Sequence, residues 1–375
     1  VQLQSLLGHC TELIRIIRKS PQPADAIARE YLRSRKYIGA ADRRFITSTT
    51  FRALRILLLA ETYAAEHGTD IATAAHQLDS DSDWVHRQPE ELQICTQPWL
   101  LQSTLQRWPD AAGVWRAMMQ PAPVGIRVNL RRTTREAVLK EFINEGIEVQ
   151  AGLHAPAAII ISQRINLLQH PLYLNGFIEI QDEGSQCISL AAGASPGMRV
   201  LDACAGAGGK SLHLADIMNN QGAIVSRDIE WQRLKEIPIR ARRAGITIIT
   251  TEQIAPSRGR IDTPAKAPFD VVLIDAPCSG LGTARRNPMV KWRLTPEQTR
   301  KYARKQLQLL TQYAAEARLG GTVVYATCSI LPEENEHVVD RFLGENPNYT
   351  LEYQQQYDPY HHGTDGLYLA RLHRE

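Results

Sequence analysis

Along the first 120 residues apolar positions recur at helical spacing, and no stretch alternates as a strand would. Leu3, Leu6, Leu7, Cys10, Leu13, Ile14 and Ile17 fall three or four residues apart, the signature of one buried helix face. Pro21 and Pro23 interrupt the chain, and further helix patterns cover 24–32, 42–60 and 98–119. An all-helical domain is predicted over residues 1–120. Pro121-Ala122-Pro123 reads as a hinge. Beyond it Val124–Leu130 predicts a strand, and Thr133-Thr134-Arg135-Glu136 a capping box opening a helix. Gly146 ends that helix, and 148–153 with 158–161 add extended pieces, so a small α+β module is predicted over 121–176. Gln181-Asp182-Glu183-Gly184-Ser185 opens another helix. From Arg199 onward, strands at Arg199–Asp202, Ala223–Asp228, Thr247–Thr251, Val271–Asp275 and Gly321–Ala326 alternate with helices. That alternation predicts an α/β fold, a doubly wound parallel sheet within 177–375.

Composition narrows the class without naming a function. A chain of 375 residues, 43% hydrophobic and 22% charged, suits two or three globular domains. The longest apolar run, Ile56–Ala60, is too short to span a bilayer, so no membrane partner is expected. No secretory signal opens the sequence, which starts at Val1. Six scattered cysteines lack metal-type spacing, which predicts no metal site and reduced thiols in a cytoplasmic protein. The net charge of +3 says little, but basic residues cluster at 33–36, 131–132, 240–243, 285–286 and 300–305. Such clusters serve as phosphate contacts or as solvated helix faces.

The chemistry concentrates where strands end. Open α/β sheets bind ligands beyond the carboxyl ends of their strands. Val200-Leu201-Asp202-Ala203-Cys204-Ala205-Gly206-Ala207-Gly208-Gly209-Lys210-Ser211 is a strand, a glycine-rich turn and a helix start. Counted from Gly206, the dinucleotide fingerprint needs glycine where Ser211 stands, and a P-loop needs glycine where Cys204 stands. Gly209-Lys210-Ser211 and the acid Asp275 nonetheless leave a P-loop-like ATPase in contention. S-adenosyl-L-methionine needs no phosphate cradle, only a ribose-binding acid after the second strand, and Asp228 stands there. Cys278 and Cys328 each follow a predicted strand; a cysteine alone is most often a small buried hydrophobe, but two thiols and Asp275 at one sheet edge suggest covalent chemistry.

Three segments, 202–210, Asp275-Ala276-Pro277-Cys278-Ser279-Gly280 and Thr327-Cys328-Ser329-Ile330-Leu331-Pro332-Glu333-Glu334-Asn335, resemble the RNA cytosine-5 methyltransferases of the NOL1/NOP2/Sun family. Gln181–Ser185 and Asp365–Leu372 resemble its flanking elements, so the resemblance covers about 121–375. The helical segment, with Arg35-Lys36-Tyr37-Ile38-Gly39-Ala40-Ala41-Asp42-Arg43-Arg44-Phe45, is similar to the NusB-like domain of the family's bacterial RsmB (Sun, Fmu) branch. The resemblance implies a Rossmann-like S-adenosylmethionine domain and methylation of RNA, small-subunit 16S ribosomal RNA first. A tRNA substrate and a non-catalytic RNA-binding assembly protein are the alternatives. It implies Cys328 as nucleophile, Cys278 in product release and Asp275 at ring nitrogen 3. It further implies cofactor contacts from Cys204, Ala205, Gly206, Ala207, Gly208, Gly209, Lys210, Asp228, Glu252 and Asp275. Lys210 is expected either to orient Asp275 or to touch phosphate, Trp292 to pack or to stack a base, and the protein to be a monomer. Ala207 replaces a usual proline, Asn287 and Met289 replace histidine and aspartate, and Thr251-Glu252 replaces Gly-Asp.

Overall fold

The first apolar stripe forms the helix Leu3–Lys19 in the computed structural model, which describes residues 2–163, 165–254 and 268–375. Its face of Cys10, Leu13 and Ile17 is fully buried against Ile46, Ala53 and Leu54. The pattern at 42–60 resolves into two helices, Ala40–Arg55 and Leu57–His67, with Ile56 leaving helical geometry between them. The pattern at 98–119 is likewise two helices, Pro98–Leu105 and Ala111–Met118, because Pro109 cannot continue a helix. Among the described residues no strand precedes Val124, and no helix is long and apolar enough to cross a membrane.

This helical unit comprises residues 1–122, 280–296 and 359–363. The inclusion of 280–296 was not visible in the sequence. Met289 is buried in the helical core, Trp292 packs against it and donates its indole N–H to Leu54 O at 2.8 Å, and the Lys291 ammonium donates to Arg55 O and Cys95 O at 2.7 and 2.6 Å. Trp292 is thus a packing residue. Burial pushes the Lys291 pKa down to about 8.

The second unit comprises 123–279, 297–358 and 364–375. Its smaller sheet consists of β1 (Val124–Val128), β2 (Val149–Ala151), β3 (Ala158–Ile161) and β4 (Ile178–Ile180), antiparallel in the order β2-β3-β1-β4. The helix Arg135–Asn144 lays Val138 and Phe142 on the apolar face of Ile126, Ile159 and Ile178. Thr134 is its N-cap, accepting from Ala137 N at 3.1 Å. The reciprocal half of the predicted capping box does not form, because residue 137, three past the cap, is alanine.

The larger sheet runs β10-β11-β9-β8-β5-β6-β7. Its strands are β5 (Arg199–Asp202), β6 (Ala223–Asp228), β7 (Ile249–Gln253), β8 (Phe269–Asp275), β9 (Ala317–Thr327), β10 (Tyr349–Tyr357) and β11 (Leu367–Arg374). The first five pair in parallel, as the alternation predicted. The sheet is nevertheless mixed, because β11 runs antiparallel between β9 and β10. Period-two alternation divides each strand between two cores. Val271, Leu273, Val324 and Ala326 face helices Glu183–Ala191 and Gly209–Ile217, whereas Val272, Ile274, Val323 and Tyr325 face helices Pro296–Ala314 and Glu336–Glu345.

Candidate active site

Parallel pairing sets Asp275 beside Ala326, and Ala276 N donates to Ala326 O at 2.8 Å. Cys278 lies three residues past this register point on one strand and Cys328 two past it on the other. Their sulfurs are 3.2 Å apart, both half-buried and neither in a disulfide. Adjacent strands stand about 4.8 Å apart, so the loops beyond them must converge to bring the thiols into contact. Gln306 of the long helix donates to Pro277 O at 3.0 Å, and the Ser279 and Ser329 hydroxyls lie 3.3 Å apart.

Asp275 is held by Lys210, whose ammonium donates to its Oδ2 at 2.5 Å. Burial works against the Lys210 charge, but Asp275, joined by Asp202 and Cys328, raises the pKa on balance. Of the two roles expected for Lys210, the structure shows it on Asp275. Cys204, at the glycine turn, has its thiol pushed well up by burial and then by Asp275, Asp202 and Asp228, so it is a neutral lining group.

Gly206 and Gly208 have φ of +54° and +80°, and a Cβ on Gly208 would meet Ile237 at 2.7 Å. Ala207 supplies a carbonyl that accepts from Arg240 at 2.6 Å. Helix Gly209–Ile217 begins directly after, with Asp228 facing the turn: its carboxylate accepts from Gly206 N and Glu230 N, each at 2.8 Å. Ser211, which a P-loop would turn to a metal–phosphate, is fully buried and donates to Asp202 Oδ2 at 2.6 Å. With Lys210 taken by Asp275, both polar groups a P-loop needs are committed elsewhere, and the ATPase reading fails.

Glu252 is engaged differently from the expectation. Its carboxylate pairs with Arg227 at 2.6 Å, and β6–β7 register places it beside Arg227, whereas Gln253 is the partner of Asp228. Alternation therefore directs Glu252 to the face opposite Asp228. The basic cluster at 240–243 is also partly structural, since Arg240 and Arg243 both donate to the buried Glu179. Asp202 carries no sequence-based role, yet it is buried beside the turn with Oδ1 lacking a partner among the described residues, and burial raises its pKa to about 6. Its position as an acid ending a strand before a glycine turn was the signal available.

Comparison with known proteins places this geometry. The model of the 16S rRNA methyltransferase RsmB/F family matches residues 190–373, and that of the RsmF/B-like ferredoxin-like domain matches 97–167. The probable ribosomal RNA small subunit methyltransferase B of Bacillus subtilis is 33% identical over 72% of this chain. The chain spans 65% of that relative's length. The protein of the same description from Coxiella burnetii is 30% identical over 73% of this chain and 67% of its own. The crystal structure of PH0851 covers 99% of both chains with a TM-score of 0.80 at 23% identity, a likeness of fold. With its helical N-terminal unit, ferredoxin-like module, mixed seven-stranded sheet and these relatives, the chain belongs to the RsmB/F family of 16S ribosomal RNA methyltransferases.

Proposed function

We propose that the protein methylates carbon 5 of a cytosine in small-subunit ribosomal RNA, with S-adenosyl-L-methionine as methyl donor. The observation that carries the reading is the thiol pair, Cys278 and Cys328 with sulfurs 3.2 Å apart, beside an Asp275 that Lys210 holds in place.

The residues at the glycine turn fit the cofactor. Asp228 has its carboxylate at the end of β6, where a ribose diol would be bound. The orphaned acceptor Asp202 Oδ1 suits an ammonium group, and the turn from Cys204 to Gly209 brings backbone close without side chains at its glycines. When bound, the cofactor supplies an electrophilic methyl group on a sulfonium.

Carbon 5 of cytosine is too weak a nucleophile to take that group unaided. The Cys328 thiolate adds to carbon 6, and the ring's electrons become available at carbon 5. Asp275 hydrogen-bonds or protonates ring nitrogen 3 and stabilises charge developing there, while Lys210 fixes its orientation. Once carbon 5 has taken the methyl group and that group's bond to sulfur has broken, Cys278 removes the proton from carbon 5, the carbon 5–carbon 6 double bond re-forms and the Cys328–carbon 6 bond breaks. Each site base must leave its stack or be unpaired to reach the sheet edge. The helical residues 1–120 and the module at 121–176 hold flanking RNA, and the catalytic fold occupies 177–375 apart from 280–296 and 359–363. The protein acts as a cytoplasmic monomer.

The test separates the two thiols. Cys328→Ala should bind RNA and cofactor yet form no covalent link. Cys278→Ala should attack, then stall with RNA attached through Cys328, visible as a retarded band on a denaturing gel. A trapped complex in Cys328→Ala instead would reverse the roles.

A further inference from the structure

The parallel register of β8 and β9 brings the two cysteine loops side by side, but register alone does not place one sulfur 3.2 Å from the other. Two consecutive residues, Glu334 and Asn335, do the remaining work. Both are fully buried at the short turn Pro332–Glu334 and its end. Glu334 holds chiefly the Cys278 loop, through Ser279, and touches Ser329 of the other; Asn335 holds the Cys328 loop. Both Glu334 carboxylate oxygens accept from Ser279 N at 3.1 Å, and Oε2 also accepts from the Ser279 hydroxyl at 3.0 Å. Asn335 Oδ1 accepts from the Thr327 hydroxyl at 2.6 Å, and Nδ2 donates to Ser329 O at 3.0 Å. Glu334 thus grips the residue after Cys278, and Asn335 the residues on either side of Cys328.

We propose that Glu334 and Asn335 are positioning residues for the two thiols, Glu334 chiefly setting Cys278 for its step and Asn335 setting Cys328 for its own. The inference rests on the reading of two thiols given above. The turn that carries both is itself anchored, because the Tyr325 hydroxyl on β9 donates to Glu334 O at 2.6 Å and Asn335 Nδ2 donates to Gln356 Oε1 at 3.0 Å. Burial pushes the Glu334 pKa up, and the Ser279 and Ser329 hydrogen bonds work against that rise. A buried carboxylate kept for its acceptors is sensitive to an isosteric amide, which presents an N–H₂ where an acceptor is needed. Their bonds run to backbone groups, hydroxyls and the Gln356 amide, so both residues act through the loops and not on the substrate.

The full chain carrying Glu334→Gln or Asn335→Ala is incubated with S-adenosylmethionine and a small-subunit ribosomal RNA transcript, then run on a denaturing gel beside Cys278→Ala and Cys328→Ala. In parallel, each thiol's rate of alkylation by iodoacetamide is followed by mass spectrometry. Glu334→Gln should reproduce the Cys278→Ala gel pattern and change Cys278 alkylation severalfold while changing that of Cys328 much less. Asn335→Ala should reproduce the Cys328→Ala pattern and do the converse. Ser279→Ala, which keeps the backbone N–H but loses the hydroxyl's contacts with Glu334 and Ser329, should move Cys278 in the same direction by less; it carries the Glu334 arm if Glu334→Gln does not fold. Variants that move both thiols alike, or neither, overturn the proposal. If Cys278→Ala itself traps no RNA, the release role falls, while the positioning roles stand as long as the two alkylation rates still separate.

Discussion

Asp202 and Asp228 show how much a single carboxylate's surroundings decide. Both follow strands that end at the glycine turn, yet Asp202 is buried with one bonded oxygen, whereas Asp228 has both oxygens on backbone N–H groups. Burial raises the Asp202 pKa from 3.8 to about 6. Between those values the folded state binds more protons than the unfolded one, so this group's contribution to stability falls as pH rises through that window, by up to about 3 kcal/mol. Asp202→Asn, whose amide oxygen still accepts from Ser211, should therefore be more stable than the parent at pH 8 and gain little at pH 4, as read from urea midpoints. Asp228→Ala should weaken S-adenosylmethionine binding by about 1–3 kcal/mol in calorimetry, and unchanged affinity would remove Asp228 from the site.

At the scale of elements, basic clusters that look alike in sequence divide by what they touch. Arg300, Lys301, Arg304 and Lys305 are exposed on the long helix Pro296–Ala314, whose Gln306 reaches the cysteine loop. Among the described residues only Lys301 in this group has an ion pair, with Glu297, and such an exposed pair contributes little. Replacing Arg300 and Arg304 with alanine should lower RNA affinity and flatten its dependence on salt by about one to two units of log–log slope. Arg243 sits in an equally basic run but pairs with the buried Glu179, which also takes Arg240. Arg243→Ala should cost about 3 kcal/mol of folding stability, the low end for a broken buried pair because Arg240 remains. RNA affinity measured below the melting transition should change less than for the Arg300 and Arg304 variant.

For the whole molecule, the chain's path matters more than its linear boundaries. Residues 280–296 follow directly on the Cys278 loop, yet Met289, Lys291 and Trp292 are bound within the helical unit. A protein beginning near Pro121 would leave Met289 and Trp292 without their core and the Lys291 carbonyl partners absent. It should keep cofactor binding, lose most RNA affinity and self-associate, and supplying residues 1–122 in trans should reverse the self-association. Light scattering and cofactor calorimetry on the truncated protein check the two halves. A monodisperse truncated protein would show that 280–296 needs no helical partner.

The sequence by itself determined the elements whose physics is local. The helical stripe at 3–17 needed only periodicity, the strands ending at Asp202, Asp228 and Asp275 needed only β-branched runs, and the turn at Gly206 and Gly208 needed residues free to adopt positive φ. The two cysteine motifs were legible for the same reason: each is a short run with a strand behind it. What the tertiary structure decided is whatever depends on residues far apart in the chain. The last two strands join the sheet as an antiparallel hairpin, because long-range pairing, not local propensity, selects strand neighbours. Glu252 is drawn to Arg227, Trp292 and Met289 to the helical core, and Glu334 to Ser279 across fifty-five positions of chain. A side chain's own sequence neighbourhood says what it can bond; only folding brings the partner, and burial then fixes which bond must be made.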